Sequence, residues 1–387
     1  MDDVFAARED VARALANGLI GSLNLAAHDL RPRTLTKNRE AYGLYLQGRA
    51  LTLRAVGDGV LDTAKNLLTR ALEIDRNFAE CWTALAETYL YTAVFTPSLE
   101  RAALAERMAD AARKAISLNP RSGHARAMLG VYEFINGNPT TALDLAFEAY
   151  RMEPTNVDVI VRLGSFLMYI GRTREAMPYI QAAVDSDPVH GRTYIALCAA
   201  HLSLGEYDQA ITTGQRMMDL GIPGLWLAVI QAARGLHEDA VETYRGVRVH
   251  LGTTIMRPPG MAPMDDAARD AYFDMAAKGV CSGKKEDRAL YCQVLEGLHA
   301  TMADPYDPSI AFPAIWMGHS KLAMKIYREQ MTLANMFGLM TLWSDSDPIR
   351  QTRLHPDFMS FAKDIGLVAA WEKYGWPDLL PDPKTVP

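Results

Sequence analysis

Residues 130–154, GVYEFINGNPTTALDLAFEAYRMEP, are followed 34 positions later by residues 164–188, GSFLMYIGRTREAMPYIQAAVDSDP. Gly130 recurs as Gly164, Gly137 as Gly171 and then Gly205, Ala142 as Ala176 and then Ala210, and Pro154 as Pro188. A fixed period of this length predicts a helix-turn-helix solenoid, in which each unit buries its apolar face only against its neighbours. Small residues let the two helices of a unit approach closely. Glycine before the second helix suits the turn, and the proline stops a helix that would otherwise continue. The predicted fold class is all-α. Stacks of this kind mostly supply extended binding surfaces, which lowers the expectation of enzymatic chemistry.

Outward from this pair the pattern extends both ways. An upstream unit places Leu44, Gly48 and Leu51 on a first helix and Ala64, Leu68 and Ala71 on a second. The next opens with Trp82, Leu85, Ala86 and Tyr89 and closes with Ala112, Ala115, Leu118 and Pro120. About ten extra residues, Phe95, Thr96 and Pro97 among them, separate its helices, as a longer helix or a surface excursion. Downstream, Tyr194, Leu197, Cys198, Ala210, Gly214 and Met217 make a fifth unit, and Leu227, Ala228, Gly235, Ala240 and Tyr244 a shortened sixth.

Residues 38–251 thus read as a solenoid of about six repeats. Residues 1–37 read as an N-terminal helix over 2–20, with Val4, Phe5, Val11, Leu15 and Leu19 on one stripe, followed by a linker. Residues 252–387 read as an irregular helical region. It opens with a proline- and glycine-rich loop at 252–263, and helices follow at 264–279 and 286–302. A repeat-like helix pair then runs through Ala311, Gly318, Ala323 and Tyr327 to about 337, and a proline-punctuated tail from Trp343 is expected to cap the open end of the stack.

The chain is 49% apolar and 22% charged with a net charge of −6, the balance of a soluble globular protein. Mild acidity speaks against a nucleic-acid partner, since phosphate binding needs a concentrated basic face. The basic cluster Arg31, Arg33, Lys37 and Arg39 reads as solvated linker. Cys81, Cys198, Cys281 and Cys292 lie far apart without metal-type spacing and read as buried free thiols in a reducing compartment. No run reaches the roughly 18–20 apolar residues of a membrane span, so no membrane partner is expected. The charged N-terminus is wrong for a secretory leader, and the expected location is cytoplasmic.

Trp82-x-x-Leu85-Ala86-x-x-Tyr89, the alanines after it and Pro120 resemble the tetratricopeptide repeat, in phase over at least four units and about residues 40–250. The resemblance implies a right-handed superhelix with a concave groove lined by the first helix of each unit, closed by an irregular helical C-terminal cap. Two further stretches are similar to a narrower bacterial family. Asp3-Val4-Phe5-Ala6-Ala7-Arg8-Glu9-Asp10-Val11-Ala12 resembles its joining helix. Leu354-His355-Pro356-Asp357-Phe358, Gly366-Leu367-Val368 and Trp371 through Gly375-Trp376-Pro377-Asp378 resemble its C-terminal ending. In that family the repeats follow a class III nucleotide cyclase or a winged-helix DNA-binding domain. Neither is in this sequence, so the resemblance implies a regulatory or scaffolding region, trimmed or free-standing, and transfers no catalytic residue.

Motifs that carry chemistry are missing: there is no GxxxxGK[ST], no GxGxxG at a strand-to-helix junction and no HExxH. His237-Glu238-Asp239 sits in the turn before a second helix, where acids suit the helix dipole. His319 beside Ser320 lacks the GxSxG context. No cofactor, metal or catalytic residue is expected. The repeat consensus, carried onto this chain, lines the groove with Glu80, Thr83, Glu87 and Tyr91, then His124, Ala127, Val131 and Phe134. The fourth and fifth units add Asp158, Val161, Arg162, Ser165 and Tyr169, and Arg192, Ile195, Ala199 and Leu202. The lysine and asparagine clamp of chaperone-binding members has no counterpart among these.

The peptide-binding groove is instead expected to use Tyr91, Phe134 and Tyr169 as aromatic anchors, with some groove exposure, and Arg162 and Arg192 as acid contacts. The leading reading is a non-enzymatic module that binds a protein or peptide segment, in trans or from upstream domains of its own, to regulate or assemble a signalling complex. Two alternatives stay open. One is an enzyme with its site in the C-terminal third, around the 252–263 loop and His299, Asp304, Tyr306 and Asp307. The other is a small-ligand sensor.

Overall fold

A computed structural model describes residues 36–54, 59–95, 100–247 and 265–383. The helix expected at 2–20, Arg31, Arg33, the 252–263 loop, and Thr96 and Pro97 of the insertion lie outside the described residues. All regular structure among the described residues is helical.

The six expected units are six helix pairs. α1 (Arg39–Arg54) packs on α2 (Val60–Ile74), α3 (Ala79–Phe95) on α4 (Arg101–Leu118), and α5 (Gly123–Ile135) on α6 (Pro139–Met152). α7 (Val157–Tyr169) packs on α8 (Thr173–Ser186), α9 (Thr193–Leu204) on α10 (Tyr207–Asp219), and α11 (Leu225–Arg234) on α12 (His237–Gly246). Each first helix also touches the first helix of the next pair, so α1, α3, α5, α7, α9 and α11 form one continuous inner wall. The insertion lengthens helices: α3 has 17 residues and α4 has 18, against 13 in α5 and in α7.

The repeating small residues act as the period implies. A Cβ on Gly164 would lie 2.7 Å from Cγ1 of Ile180, so only glycine lets α7 and α8 approach this closely. Ala142, Ala176 and Ala210 are fully buried at the equivalent place on each second helix. Gly137, Gly171 and Gly205 turn the chain with φ of 78°, 85° and 74°, a region glycine enters without penalty. Side-chain caps start α5 and α7: Ser122 accepts from the Ala125 amide and Asn156 from the Asp158 amide.

Helix pairing continues past the sixth unit. α13 (Asp266–Cys281) packs on α12 and pairs with α14 (Lys285–Thr301), and α15 (Pro308–Trp316) pairs with α16 (Ser320–Glu329). α16 ends eight residues before the expected 337, and a 3-10 helix at Asn335–Trp343 follows. It starts on a reciprocal pair of bonds: the Thr332 amide donates to Oδ1 of Asn335 over 2.7 Å, and the Asn335 amide to Oγ1 of Thr332 over 3.0 Å. Three short helices complete the chain, α17 (Gln351–Leu354), α18 (Phe358–Asp364) and α19 (Leu367–Tyr374).

The tail does not lie over the open end of the stack. The 3-10 helix packs inside the curve against α7, α9 and α15, and α19 packs on α6. The reason is composition: residues 333–343 carry no charge, and only Asn335 and Thr341 interrupt an otherwise apolar run. An end cap buries one face, whereas the concave side buries all of them. Indole and backbone donors then fasten the tail. Nε1 of Trp343 donates to the Tyr169 carbonyl (3.0 Å), Nε1 of Trp371 to that of Ile170 (2.8 Å), and the Asp378 amide to that of Gly171 (2.9 Å).

Buried arginines hold the ends of these connections. Arg353 donates to the carbonyls of Leu342 and Ser344 at the end of the 3-10 helix, and burial pulls its guanidinium down to about 10. Arg101, at the start of α4, pairs with Asp304 and, over 2.9 Å, with Asp307 before α15.

Candidate functional site

The 3-10 helix covers the inner wall at α7 and α9. Phe134 is 1% exposed and Tyr169 0%. Their rings pack 5.1 Å apart, and Phe337 of the 3-10 helix meets Tyr169 edge-on at 6.3 Å. The expected groove exposure of the aromatic set is therefore corrected: Tyr91, at 8%, is also buried. The chain's own apolar segment removes these rings from water more completely than neighbouring helices alone would.

Three of the five expected site residues come together. Tyr91, Arg162 and Arg192 line one end of a cavity of about 140 Å³ between the inner wall and the C-terminal helices. Phe134 and Tyr169 do not line it. The apolar part of the lining includes Trp226 on α11, Phe312 and Trp316 on α15, and Phe337 and Met340 on the 3-10 helix. Trp226 and Trp316 meet edge-on at 6.3 Å, and Phe312 tilts against Trp316 at 5.7 Å. Sequence reasoning missed these walls. Phe312 and Trp316 are one helical turn apart in a segment that is apolar on all sides, which marks burial but not what it is buried against.

The polar end is a network of charges. Arg192 stacks its guanidinium 3.6 Å above the Tyr91 ring and donates to the Thr52 carbonyl on α1. Arg49 binds Asp158 over 3.2 Å, and His124 lies 3.8 Å from the same carboxylate. Burial pushes the Asp158 carboxyl up, but His124, Arg49, His190 and Arg162 outweigh it and hold the group below the usual carboxylate range. Burial likewise keeps the Tyr91 phenol above its ordinary value against the pull of Arg192 and Arg162.

Arg162 differs from its neighbours. It is 8% exposed, and its Nε has no hydrogen-bond partner among the described residues. The Tyr169 hydroxyl, whose electrostatic neighbours are Arg162 and Tyr91, is buried and equally unpartnered among them.

The residues considered for catalysis make contacts within the fold. Nδ1 of His299 pairs with the Pro305 carbonyl, and Asp304 and Asp307 hold Arg101. Asp307 also caps α15 through the Ser309 amide, and Nδ1 of His237 pairs with the Cys281 carbonyl. Cys81, Cys198 and Cys281 are buried free thiols, and Cys292 is half-buried. Burial raises the Cys81 and Cys198 thiols to about 12, which keeps both protonated. Among the described residues no group of three or more His, Cys, Asp and Glu is placed to hold a metal, and no helix is long and apolar enough to cross a membrane.

Comparison with known proteins adds one repeat match. The tetratricopeptide repeat family model matches residues 157–190, which span α7, α8 and the turn after them. No curated protein matches the chain. Among solved structures the chain is similar to YrrB, a TPR protein with an unusual peptide-binding site, at 20% identity over 47% of this chain and 91% of that one, with a TM-score of 0.32. It is similar to TTC0263, a thermophilic TPR protein in Thermus thermophilus, at 19% identity over 46% and 91%, with a TM-score of 0.38. Yeast Tom70 aligns at 13% identity over 89% of this chain and 67% of that one, with a TM-score of 0.43. The helix pairs stacked through one inner wall, and the repeat matched on α7 and α8, make this an all-α solenoid of the tetratricopeptide type.

Proposed function

We propose that the chain is a non-enzymatic protein-interaction module whose concave face binds a polypeptide segment and so regulates or assembles a signalling complex. The observation that carries this is that the inner wall already seats such a segment, the chain's own residues 335–343, through aromatic packing and an indole-to-carbonyl bond. A wall that holds polypeptide in this way has the chemistry of segment recognition. Within it, Tyr91, Arg162 and Arg192 face the cavity that the segment leaves unfilled, while Phe134 and Tyr169 support the seat.

A partner segment with one apolar anchor and an adjacent acid fits that cavity. The partner is a separate protein or an upstream domain of a longer polypeptide. The resemblance of the chain's ends to cyclase- and winged-helix-linked repeats favours a regulatory role. The test is capture of partners by the full chain and by Arg162→Gln. Loss of a purified partner's binding in the variant, at unchanged melting temperature, supports the reading. A partner that binds both proteins equally, or that maps to the outer helices, overturns it.

A further inference from the structure

The two ends of the concave cavity specify opposite halves of one ligand. Arg162 and Arg192 are the charged groups of the lining, and behind them Arg49, Glu87 and Asp158 belong to the same electrostatic network without lining the cavity. Asp158 is engaged by Arg49 and His124 and also feels the charges of His190 and Arg162, and the electrostatic influence of Glu87 falls on Arg49 and Tyr91. Arg162 is left more than nine-tenths buried, with its Nε unpartnered among the described residues, on the cavity wall. A buried guanidinium with hydrogen-bonding capacity unused is costly, and an anion that accepts from it lowers the cost. The apolar end offers the faces and edges of Trp226, Phe312 and Trp316.

Volume limits what fits between them. The cavity is about 140 Å³, and an apolar protein cavity of about 150 Å³ accommodates one benzene ring. A nucleotide or a folded helix is too large. A cation is repelled by the arginines, and a phosphate leaves the aromatic end empty. We infer that this cavity binds a small amphipathic carboxylic acid, with the carboxylate on Arg162 and a single aromatic ring or short alkyl chain against Trp226, Phe312 and Trp316. The acid is a free small molecule. It uses the same cavity as the interaction reading but does not depend on any protein partner. Its binding joins α7 to α15, because Arg162 and the aromatic wall belong to different parts of the chain. An acid in this site therefore stabilises the docked C-terminal region through ligand linkage.

The test uses the full chain with 3-phenylpropanoate and hexanoate, followed by calorimetry and tryptophan fluorescence. The uncharged 3-phenylpropan-1-ol serves as the body without the carboxylate, and N-acetyl-alanyl-phenylalanine as a carboxylate carried on a polypeptide end. The acids are expected to bind at least about tenfold more tightly than the alcohol, since the alcohol leaves the guanidinium unpaired. In Arg162→Gln that preference disappears while alcohol binding persists, which shows that the variant is folded. If the variant fails to fold, the acid-to-alcohol ratio on the unaltered chain decides. Equal binding of acid and alcohol, unchanged acid binding in Arg162→Gln, or no binding of either acid overturns the inference. Tighter binding of the acetylated dipeptide than of both acids reassigns the site to polypeptide ends and also overturns it. Failure of every acid while a protein partner still depends on Arg162 sinks this inference and leaves the interaction reading intact.

Discussion

The indole of Trp343 caps α7: its Nε1 donates to the carbonyl of Tyr169, 174 positions earlier in the chain. Helix C-terminal carbonyls have no intrahelical partner and must find one elsewhere. Here the next two carbonyls, of Ile170 and Gly171, are also taken by the tail, through the Trp371 indole and the Asp378 amide. One turn of the fourth repeat is thus satisfied by three tail groups. Trp343→Phe keeps most of the ring packing but strands the Tyr169 carbonyl, and should cost about 1–3 kcal/mol. Trp343→Ala should cost about 3–5 kcal/mol, because it also empties buried volume. Chemical denaturation of the two variants checks the ordering; equal losses would show that the hydrogen bond contributes nothing.

Gly171 and Gly205 occupy equivalent repeat positions, both with positive φ, yet differ in surroundings. A Cβ on Gly171 would lie 2.6 Å from both Trp343 and Pro377, whereas one on Gly205 meets nothing within 4 Å. Each alanine variant carries the backbone penalty of roughly 1 kcal/mol. Gly171→Ala should lose clearly more than that, because it also levers the tail off the wall. Melting temperatures of the pair measure tail docking, and matching values would argue against it. The same contact changes an expectation drawn from the repeat pattern alone. By the pattern Gly171 is a turn position and Gly164 a close helix-helix contact. Both are tight, Gly164 against Ile180 and Gly171 against the tail.

Arg162 and Arg192 should separate in stability. Arg192 stacks on Tyr91 and ties α9 to the Thr52 carbonyl on α1, so Arg192→Gln should destabilise by about 1–3 kcal/mol. Arg162→Gln removes a buried charge with an unpartnered Nε and should change stability by less than about 0.5 kcal/mol, or increase it. Thermal and denaturant unfolding of both variants settles the comparison. A larger loss for Arg162→Gln would show that its guanidinium is already well paired.

Asp158 sets an acid limb. Its folded carboxyl is held below the ordinary value near 3.9 that it has when unfolded. The stability this contributes is complete above about 3.9 and is lost as pH falls through the folded value. Asp158→Asn should lower stability at neutral pH and flatten the decline below about pH 4. Stability against pH for the two proteins checks this, and parallel curves would show that Asp158 is not among the groups responsible.

The repeat core was legible because its constraints are local. Gly164 against Ile180 and the turn at Gly137 lie within one repeat, and a period of 34 displays them. The placement of the tail was not, because nothing near Trp343 in sequence names Tyr169 as its acceptor. Residues 333–343 gave one usable sign, an uncharged apolar run interrupted only by Asn335 and Thr341, which demands burial without saying where. Arg162 and Arg192 were found from the repeat register. Their cavity was not, since about a third of its lining comes from α15 and the 3-10 helix, more than 100 residues away.

The order of synthesis gives the covered wall a history. α7 and α9 leave the ribosome well before Trp343, and at about 5–20 residues per second the intervening stretch takes roughly 7–28 s to emerge. For that interval a nascent chain can already stack its repeats while Phe134, Tyr169 and the surface around them stand bare. A protein that captures the wall then meets no internal competitor, whereas one that arrives after release must displace residues 335–343. Translation speed through the C-terminal third thereby sets how long this molecule remains open to chaperones or early partners.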